Sequence, residues 1–248
     1  MILEQNERFE INESMVPAQM AVTIEEAKET AKRIGDLRMK AGAAMKEVNT
    51  KFEVLDYEFK NKHAYNPIHH MQSRLKSMDS TFKKIKKKGW PMEFESLYKI
   101  QDMAGVRVVC NYEGDIYRIA DSLLRQGDIK LLKKKDYIKH PKVSGYRSLH
   151  LVIEVPIFLS EETFHIPVEI QIRSIAMDTW ASLEHELRYK NEGELPEEDE
   201  LELKLCAEAL AEIDGAMERL HNKAVMVNEG KDPQEGLRSE LVDALLRP

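Results

Sequence analysis

Apolar and polar positions alternate most cleanly in two short segments late in the chain. Over 148–155, Leu149, Leu151, Ile153 and Val155 fall on one side, with His150 and Glu154 on the other. Over 165–173, Ile166, Val168, Ile170 and Ile172 alternate with Glu169, Gln171 and Arg173. A period of two marks a half-buried strand. Both segments are therefore expected as strands, joined as a hairpin through 157–163, with their polar ladders side by side on one sheet face. Runs of β-branched and apolar residues predict further strands at 105–112 and 130–138.

Helical patterns surround these strands. One covers 23–62, opened by Thr-Ile-Glu-Glu, a hydroxyl followed three residues later by a carboxylate. It contains no proline and reads as one long helix or two. Asn66-Pro67 breaks it. A helix is expected over 74–88, stopped by Gly89 and Pro91, followed by a helical turn at 94–100 and helices at 115–125 and 174–190. A polar, acidic break at 193–200 precedes a last helix over 201–227. Its seam of Leu203, Cys206, Leu210, Ile213, Met217, Leu220, Ala224 and Val227 follows the three-and-four spacing of coiled coils. This seam is expected to pack on the chain's own N-terminal helix ahead of a subunit interface.

The element order predicts an α+β fold, a mixed central sheet flanked by helices with helical N- and C-terminal extensions. The expected organisation is a loose arm and helix over 1–62, a core over 63–192, a C-terminal helix over 193–228 and a mobile tail over 229–248.

Composition narrows the functional classes. The 248 residues are 42% hydrophobic and 33% charged, enough for a real core and a well-solvated surface. A net charge of −7 counts against a scaffold for long nucleic acid, whose affinity comes from neutralising phosphates; it leaves room for a local basic pocket. Cys110 and Cys206 form no Cys-x-x-Cys pair and read as small hydrophobes. The first residues lack the basic and apolar regions of a signal peptide. No apolar run approaches the roughly 18 residues of a membrane span. A cytoplasmic protein is expected.

Four segments carry candidate chemistry. From Arg74 to Lys88 there are seven basic residues and one acidic one. Read as a helix, this stretch sets Lys76, Lys83, Lys84 and Lys87 near one side, a face suited to a polyphosphate or simply to solvent. Asp102-Met103-Ala104-Gly105-Val106-Arg107 ends a helix and begins a strand. An acid there can present a hard oxygen to Mg²⁺, and Arg107 can stack on a purine or bind phosphate, or the two can form a structural ion pair. Lys142-Val143-Ser144-Gly145-Tyr146-Arg147-Ser148-Leu149-His150 is a glycine-containing loop feeding a strand, with an aromatic ring able to stack on a base. Finally, Glu169 sits mid-strand, where burial is costly unless the carboxylate is paired or metal-bound. Asp102 and Glu169 can hold one Mg²⁺ between them, and Glu169 can accept a proton from a sugar hydroxyl. In Trp180–Lys190, Glu184 and Arg188 are spaced as an ordinary helix-surface pair.

In this order, together with Glu184-His185-x-x-x-Tyr189-Lys190, the segments resemble the synthetase domain of the RelA/SpoT family. The length is similar to that of its small alarmone synthetases of the RelQ and RelP type. The resemblance covers roughly 60–225 and implies a sheet like that of nucleotidyltransferases. It implies a Mg²⁺-dependent pyrophosphokinase that moves a diphosphate from ATP to the 3′-hydroxyl of GDP or GTP, giving ppGpp or pppGpp and AMP in stringent-response signalling. Carried over, Asp102 and Glu169 bind Mg²⁺ and are catalytic. Arg74, Lys76, Ser80, Lys84, Lys87 and Arg107 bind ATP, the two arginines sandwiching adenine. Lys142, Tyr146, His150, Gln171, Arg173 and Arg188 line the acceptor side, Tyr146 stacking on guanine. The resemblance further implies a homotetramer with an allosteric (p)ppGpp site between subunits. Arg188 departs from the asparagine common in RelQ-type proteins. No His-Asp dipeptide of a preceding hydrolase domain is present, so synthesis without hydrolysis is expected. Two alternatives stand beside this: a toxic relative that pyrophosphorylates tRNA ends or adenosine nucleotides, and a non-catalytic nucleotide sensor. Retention of both acids speaks against the second.

Overall fold

In the computed structural model, which describes residues 2–4, 12–18, 20, 21, 23–190 and 195–228, the chain from Thr23 enters one unbroken helix, α1 (Ile24–Lys62). Thr23 and Glu26 form the reciprocal cap that the sequence suggests: the Glu26 N–H donates to Thr23 Oγ1 at 3.2 Å and the Thr23 N–H to Glu26 Oε2 at 3.1 Å. Glu25 and Glu26 in the first turn and Lys60 and Lys62 in the last complement the helix dipole. Gly35 and Gly42 are carried without a break. The helix lays Ile34, Ala41, Ala44, Val48, Phe52 and Phe59, all buried, across the sheet.

Six strands form one mixed sheet in the order β1-β2-β3-β6-β5-β4. They are β1 (Ile2–Glu4), β2 (Ile68–Leu75), β3 (Ala104–Cys110), β4 (Lys130–Asp136), β5 (Leu149–Phe158) and β6 (Thr163–Ser174). The β5–β6 hairpin pairs His150 with Gln171 and Val152 with Glu169, so the two polar ladders share one face as expected. β3 and β6 are parallel, with Gly105 opposite Glu169 and Arg107 opposite Gln171. The opposite faces of these strands, through Val106, Val108, Leu149, Leu151, Ile153, Val168, Ile170 and Ile172, join α1 and α3 (Glu113–Leu124) in one core. One sheet face is thus the floor of the core and the other is left for polar groups.

Several expectations are corrected. The arm over 1–22 is not uniformly loose: Ile2–Glu4 pairs in parallel with Met71–Ser73. Residues 74–88 are not one helix. β2 occupies Ile68–Leu75, antiparallel to β3, and α2 spans Met78–Lys87, capped by Ser77, whose Oγ accepts from the Ser80 N–H at 3.2 Å. Arg74 is therefore a strand residue opposite Gly105, and Lys76 lies in the link before α2 rather than on its face. The helical turn Phe94–Lys99 leads into β3. After α4 (Ile175–Lys190), the acidic segment is already helical from Glu197, where α5 (Glu197–Asn228) begins. α5 packs on α4 and α3, not along α1. Ala207 is buried against Trp180 and Ala181, with Leu203 and Leu210 beside them. Ile213, Met217 and Leu220 of the expected seam stay 57%, 51% and 59% exposed. The tail expected over 229–248 lies outside the described residues.

Candidate active site

The polar face of the sheet opens into two adjoining clefts that share Asp102 and Glu169. The first, about 1020 Å³, is lined by Gln72, Arg74, Lys76, Asp102, Arg107 and Glu169 among others. The second, about 1160 Å³, runs past Lys84, Lys88, Trp90, Lys99, Lys133 and Lys135 to His150 and Glu169. The strand register explains the convergence: β2, β3, β6 and β5 each contribute alternate residues to this face. β4 extends it, setting Lys135 beside His150 and Lys133 beside Val152.

Asp102 ends the link from the helical turn to β3. Its Oδ2 is held by Lys84 Nζ at 2.7 Å and Lys76 Nζ at 3.2 Å. Its Oδ1 is buried and finds no hydrogen-bond partner among the described residues. A polar oxygen withdrawn from water and left unpartnered is costly, so this atom is presented for a ligand.

Glu169 faces it from β6. Gln171 Nε2 donates to Glu169 Oε2 at 3.0 Å, and His150 Nδ1 lies 3.6 Å from Oε1. Burial by itself would raise the pKa of this carboxyl. The His150 and Gln171 contacts, with the nearby charges of His150 and Lys84, outweigh burial and bring it to about 2. Glu169 is thus a carboxylate at neutral pH.

A polar relay fixes the far side. Arg173, 4% exposed, donates through Nη2 to Tyr146 Oη at 2.7 Å and to Gln171 Oε1 at 2.8 Å. The Tyr146 hydroxyl meets His150 Nε2 at 2.7 Å. Lys142 Nζ sits 4.3 Å from the Tyr146 ring centre. The turn beneath is closed by Gly145, at φ 89°, whose N–H donates to Lys142 O at 2.8 Å. A Cβ on Gly145 would stand 2.6 Å from Ala207 Cβ, so this loop is seated directly on α5.

Of the residues predicted from sequence, Asp102, Glu169, Arg74, Lys76, Lys84, Arg107, Lys142, Tyr146, His150, Gln171 and Arg173 form one continuous group. The alternative reading, an ion pair between Asp102 and Arg107, is not what holds either: Arg107 Nη1 pairs with Asp178 Oδ1 at 3.2 Å, and Asp102 with Lys84 and Lys76. Ser80 is exposed, and its Oγ accepts from Ser77 Oγ at 2.9 Å. Lys87 is exposed at the end of α2 and lines neither cleft. Arg188 is not brought to the site. It pairs with Glu184 and, at 3.1 Å, with Glu200 of α5, about 20 Å along α4 from Ile175.

Asp178 and Gln72 escaped the sequence reading, and the basic run Lys133–Lys135 was not placed at the cleft. Asp178 also takes Arg173 Nη1 at 3.1 Å and so ties Arg107 and Arg173 to one carboxylate. Its position in the first turn after an Arg-bearing strand was the available signal. Lys133 and Lys135 were legible as a period-two continuation of the ladder.

Comparison with known proteins agrees with this geometry. Residues 73–194 match the region found in RelA/SpoT proteins. The GTP pyrophosphokinase YwaC of Bacillus subtilis is 42% identical over 175 residues, covering 70% of this chain and 83% of that protein. The GTP pyrophosphokinase YjbM of the same organism is 36% identical over 168 residues, 67% and 77% of the two chains. Among solved structures, small alarmone synthetase 2 of B. subtilis is similar with a TM-score of 0.68 and 39% identity, over 75% of this chain and 96% of that one. Small alarmone synthetase 1, bound to its product pppGpp, has a TM-score of 0.70 and 32% identity, over 73% and 93%. The fold is thus that of a transferase of the pyrophosphokinase class. More particularly, the chain belongs to the RelA/SpoT family, and the relatives it resembles here are small GTP pyrophosphokinases.

Proposed function

We propose that the chain is a GTP pyrophosphokinase that transfers the β,γ-diphosphate of ATP to the 3′-hydroxyl of GDP or GTP. The observation that carries this reading is the facing of Asp102 and Glu169 across one cleft, with Lys76 and Lys84 converging on Asp102. Arg74 and Arg107 flank the donor side, where guanidinium planes suit an adenine face. Lys76 and Lys84 are placed to draw phosphate charge. Tyr146, steadied by Arg173 and His150, offers a ring to the acceptor base.

In the transfer, O3′ bonds to the β-phosphorus as the bond from the bridging oxygen to the β-phosphorus breaks, and AMP leaves with that oxygen. Glu169, ionised and oriented by His150 and Gln171, takes the hydroxyl proton. Positioning and charge neutralisation suffice; a covalent intermediate on the protein is unnecessary.

The residues present fit a Mg²⁺ ion: the unpartnered Asp102 Oδ1 and the Glu169 carboxylate are hard oxygen donors. Among the described residues no cluster of three or more His, Cys, Asp or Glu side chains could hold a metal. Two carboxylates are an ordinary protein share of a Mg²⁺ site, the rest of the shell being left to substrate phosphates and water. When bound there it supplies charge neutralisation on the diphosphate.

The exposed Ile213, Met217 and Leu220 on α5 support association with a second copy of the chain, with the tetramer as the expected form. Light scattering showing a monomer at micromolar concentration would reject it. No helix among the described residues is long and apolar enough to cross a membrane, and both substrates are cytoplasmic nucleotides.

The decisive experiment is product analysis. The protein is incubated with Mg²⁺, ATP and, separately, GDP, GTP, GMP, AMP, ADP or deacylated tRNA. A 3′-pyrophosphorylated guanosine nucleotide with equimolar AMP is expected, reduced by about a hundredfold or more in Asp102→Asn and Glu169→Gln. Transfer only to tRNA or adenosine nucleotides would replace the acceptor. No transfer to any acceptor would leave a sensor.

A further inference from the structure

α1 lies outside the 73–194 segment that matches the family, yet it reaches the donor side of the cleft twice. Arg38 Nη1 donates to the Lys76 carbonyl at 2.7 Å. Asn49 Nδ2 donates to Ser73 Oγ at 2.9 Å. Arg38 and Asn49 are eleven positions apart, three helical turns, and so project from the same face. Their targets bracket Arg74. Arg38, Asn49 and Ser73 are all buried.

Stability alone does not call for these groups. A buried guanidinium must overcome its lost hydration, and an apolar side chain of similar bulk often serves the core as well. What an apolar residue cannot do is fix one particular carbonyl. Lys76 is pinned at both peptide groups: its N–H donates to Met103 O at 2.8 Å, beside Asp102, and its carbonyl accepts from Arg38. The next residue, Ser77, caps α2. The two-residue link 76–77 therefore sets Arg74, on the strand, relative to Lys84, on the helix. It also sets the root of the Lys76 side chain relative to the carboxylate it contacts.

We propose that Arg38, seconded by Asn49, is a positioning residue for the nucleotide donor, a role that rests on the donor reading of residues 74–84 given above. α1 holds the strand-borne arginine and the helix-borne lysine in the one relation in which both address a single ATP. The acceptor side, built on β5, β6 and α5, does not depend on this anchor.

The test uses the full chain with Arg38→Met, Arg38→Lys and Asn49→Ala. Binding of a non-hydrolysable α,β-methylene analogue of ATP is measured by calorimetry with Mg²⁺. KM for ATP and for GDP, kcat and Tm are measured beside it. Loss of a hydrogen bond from a charged donor predicts analogue binding weakened about tenfold in Arg38→Met, and less in Asn49→Ala. Arg38→Lys keeps a cationic donor on a shorter reach and recovers part of the loss. KM for GDP moves less than about twofold throughout. Analogue binding within about twofold of wild type in Arg38→Met, whatever its Tm, overturns the proposal; so does an equal loss on donor and acceptor sides. Should Arg38→Met fail to fold, unchanged donor binding in Arg38→Lys and Asn49→Ala overturns it equally. A wild type that binds no analogue rejects the donor reading itself, and the positioning role falls with it.

Discussion

Replacing Gly145 with alanine tests how the acceptor loop is held. Two separate costs arise. A φ of 89° is left-handed backbone, which a residue with a Cβ adopts at about 1–2 kcal/mol. The added Cβ would also stand 2.6 Å from Ala207 Cβ, while the Lys204 Cα at 3.5 Å is ordinary contact. Forcing a methyl into a packed contact costs about 1–3 kcal/mol. Gly145→Ala is therefore expected to destabilise the chain by about 2–5 kcal/mol, a large share of an ordinary domain's stability. The two terms separate in a double-mutant cycle. Ala207→Gly by itself costs about 1 kcal/mol in helix propensity, but combined with Gly145→Ala it removes the clashing atom. The pair should show a favourable coupling of about 1–3 kcal/mol, with the backbone cost remaining. Urea denaturation of the four proteins measures it, and KM for GDP should rise in the Gly145→Ala single mutant and fall back in the double. Additive behaviour within about 0.5 kcal/mol, or a Gly145→Ala variant as stable as wild type, would refute the seating of this loop on α5.

Asp214, on α5, accepts from the Ser174 hydroxyl. Burial raises its pKa, the Ser174 bond and Arg147 oppose the rise, and Glu218 adds to it. The folded state thus keeps this proton to higher pH than the unfolded chain does; the associated stability is full below the unfolded pKa near about 4 and lost as pH rises through the folded value. Asp214→Asn, which cannot ionise, should gain on wild type in urea midpoint as pH rises from about 4 toward 7. A pH-independent difference would contradict this. Arg188→Ala should cost less than about 1 kcal/mol, since its partners are surface carboxylates, and should leave KM for GDP unchanged. A several-fold rise would return Arg188 to the acceptor side.

Legibility from sequence followed how local each cause was. β5 and β6 were plain because one face is apolar throughout and the other carries the site, so a period of two survives along both. β2 was not, because His69, His70, Gln72 and Arg74 are interspersed with too few β-formers; its pairing with β3 and β1 makes it a strand. That single error put Lys76 on a helix face and hid Gln72. Glu169 announced itself as an acid among β-branched neighbours, and its facing of His150 and Gln171 followed from alternation. Arg38 and Asn49 did not announce themselves: each acts on a segment distant in sequence. The packing of α5 was misjudged because a seam of apolar spacing tells which residues share a side, not what lies against them.

The parallel pairing of β3 with β6 has a bearing on how the protein comes into being. Synthesis delivers Asp102 and the donor-side cations well before β6, and Glu169 joins them only when β6 slots between β3 and β5. Closing so long a loop is among the slower steps of assembly. A nascent or truncated chain that still lacks β6 carries Asp102 without Glu169, and on the function proposed above it has half of the catalytic pair. Completion of the sheet is thus the step that brings the two carboxylates onto one face.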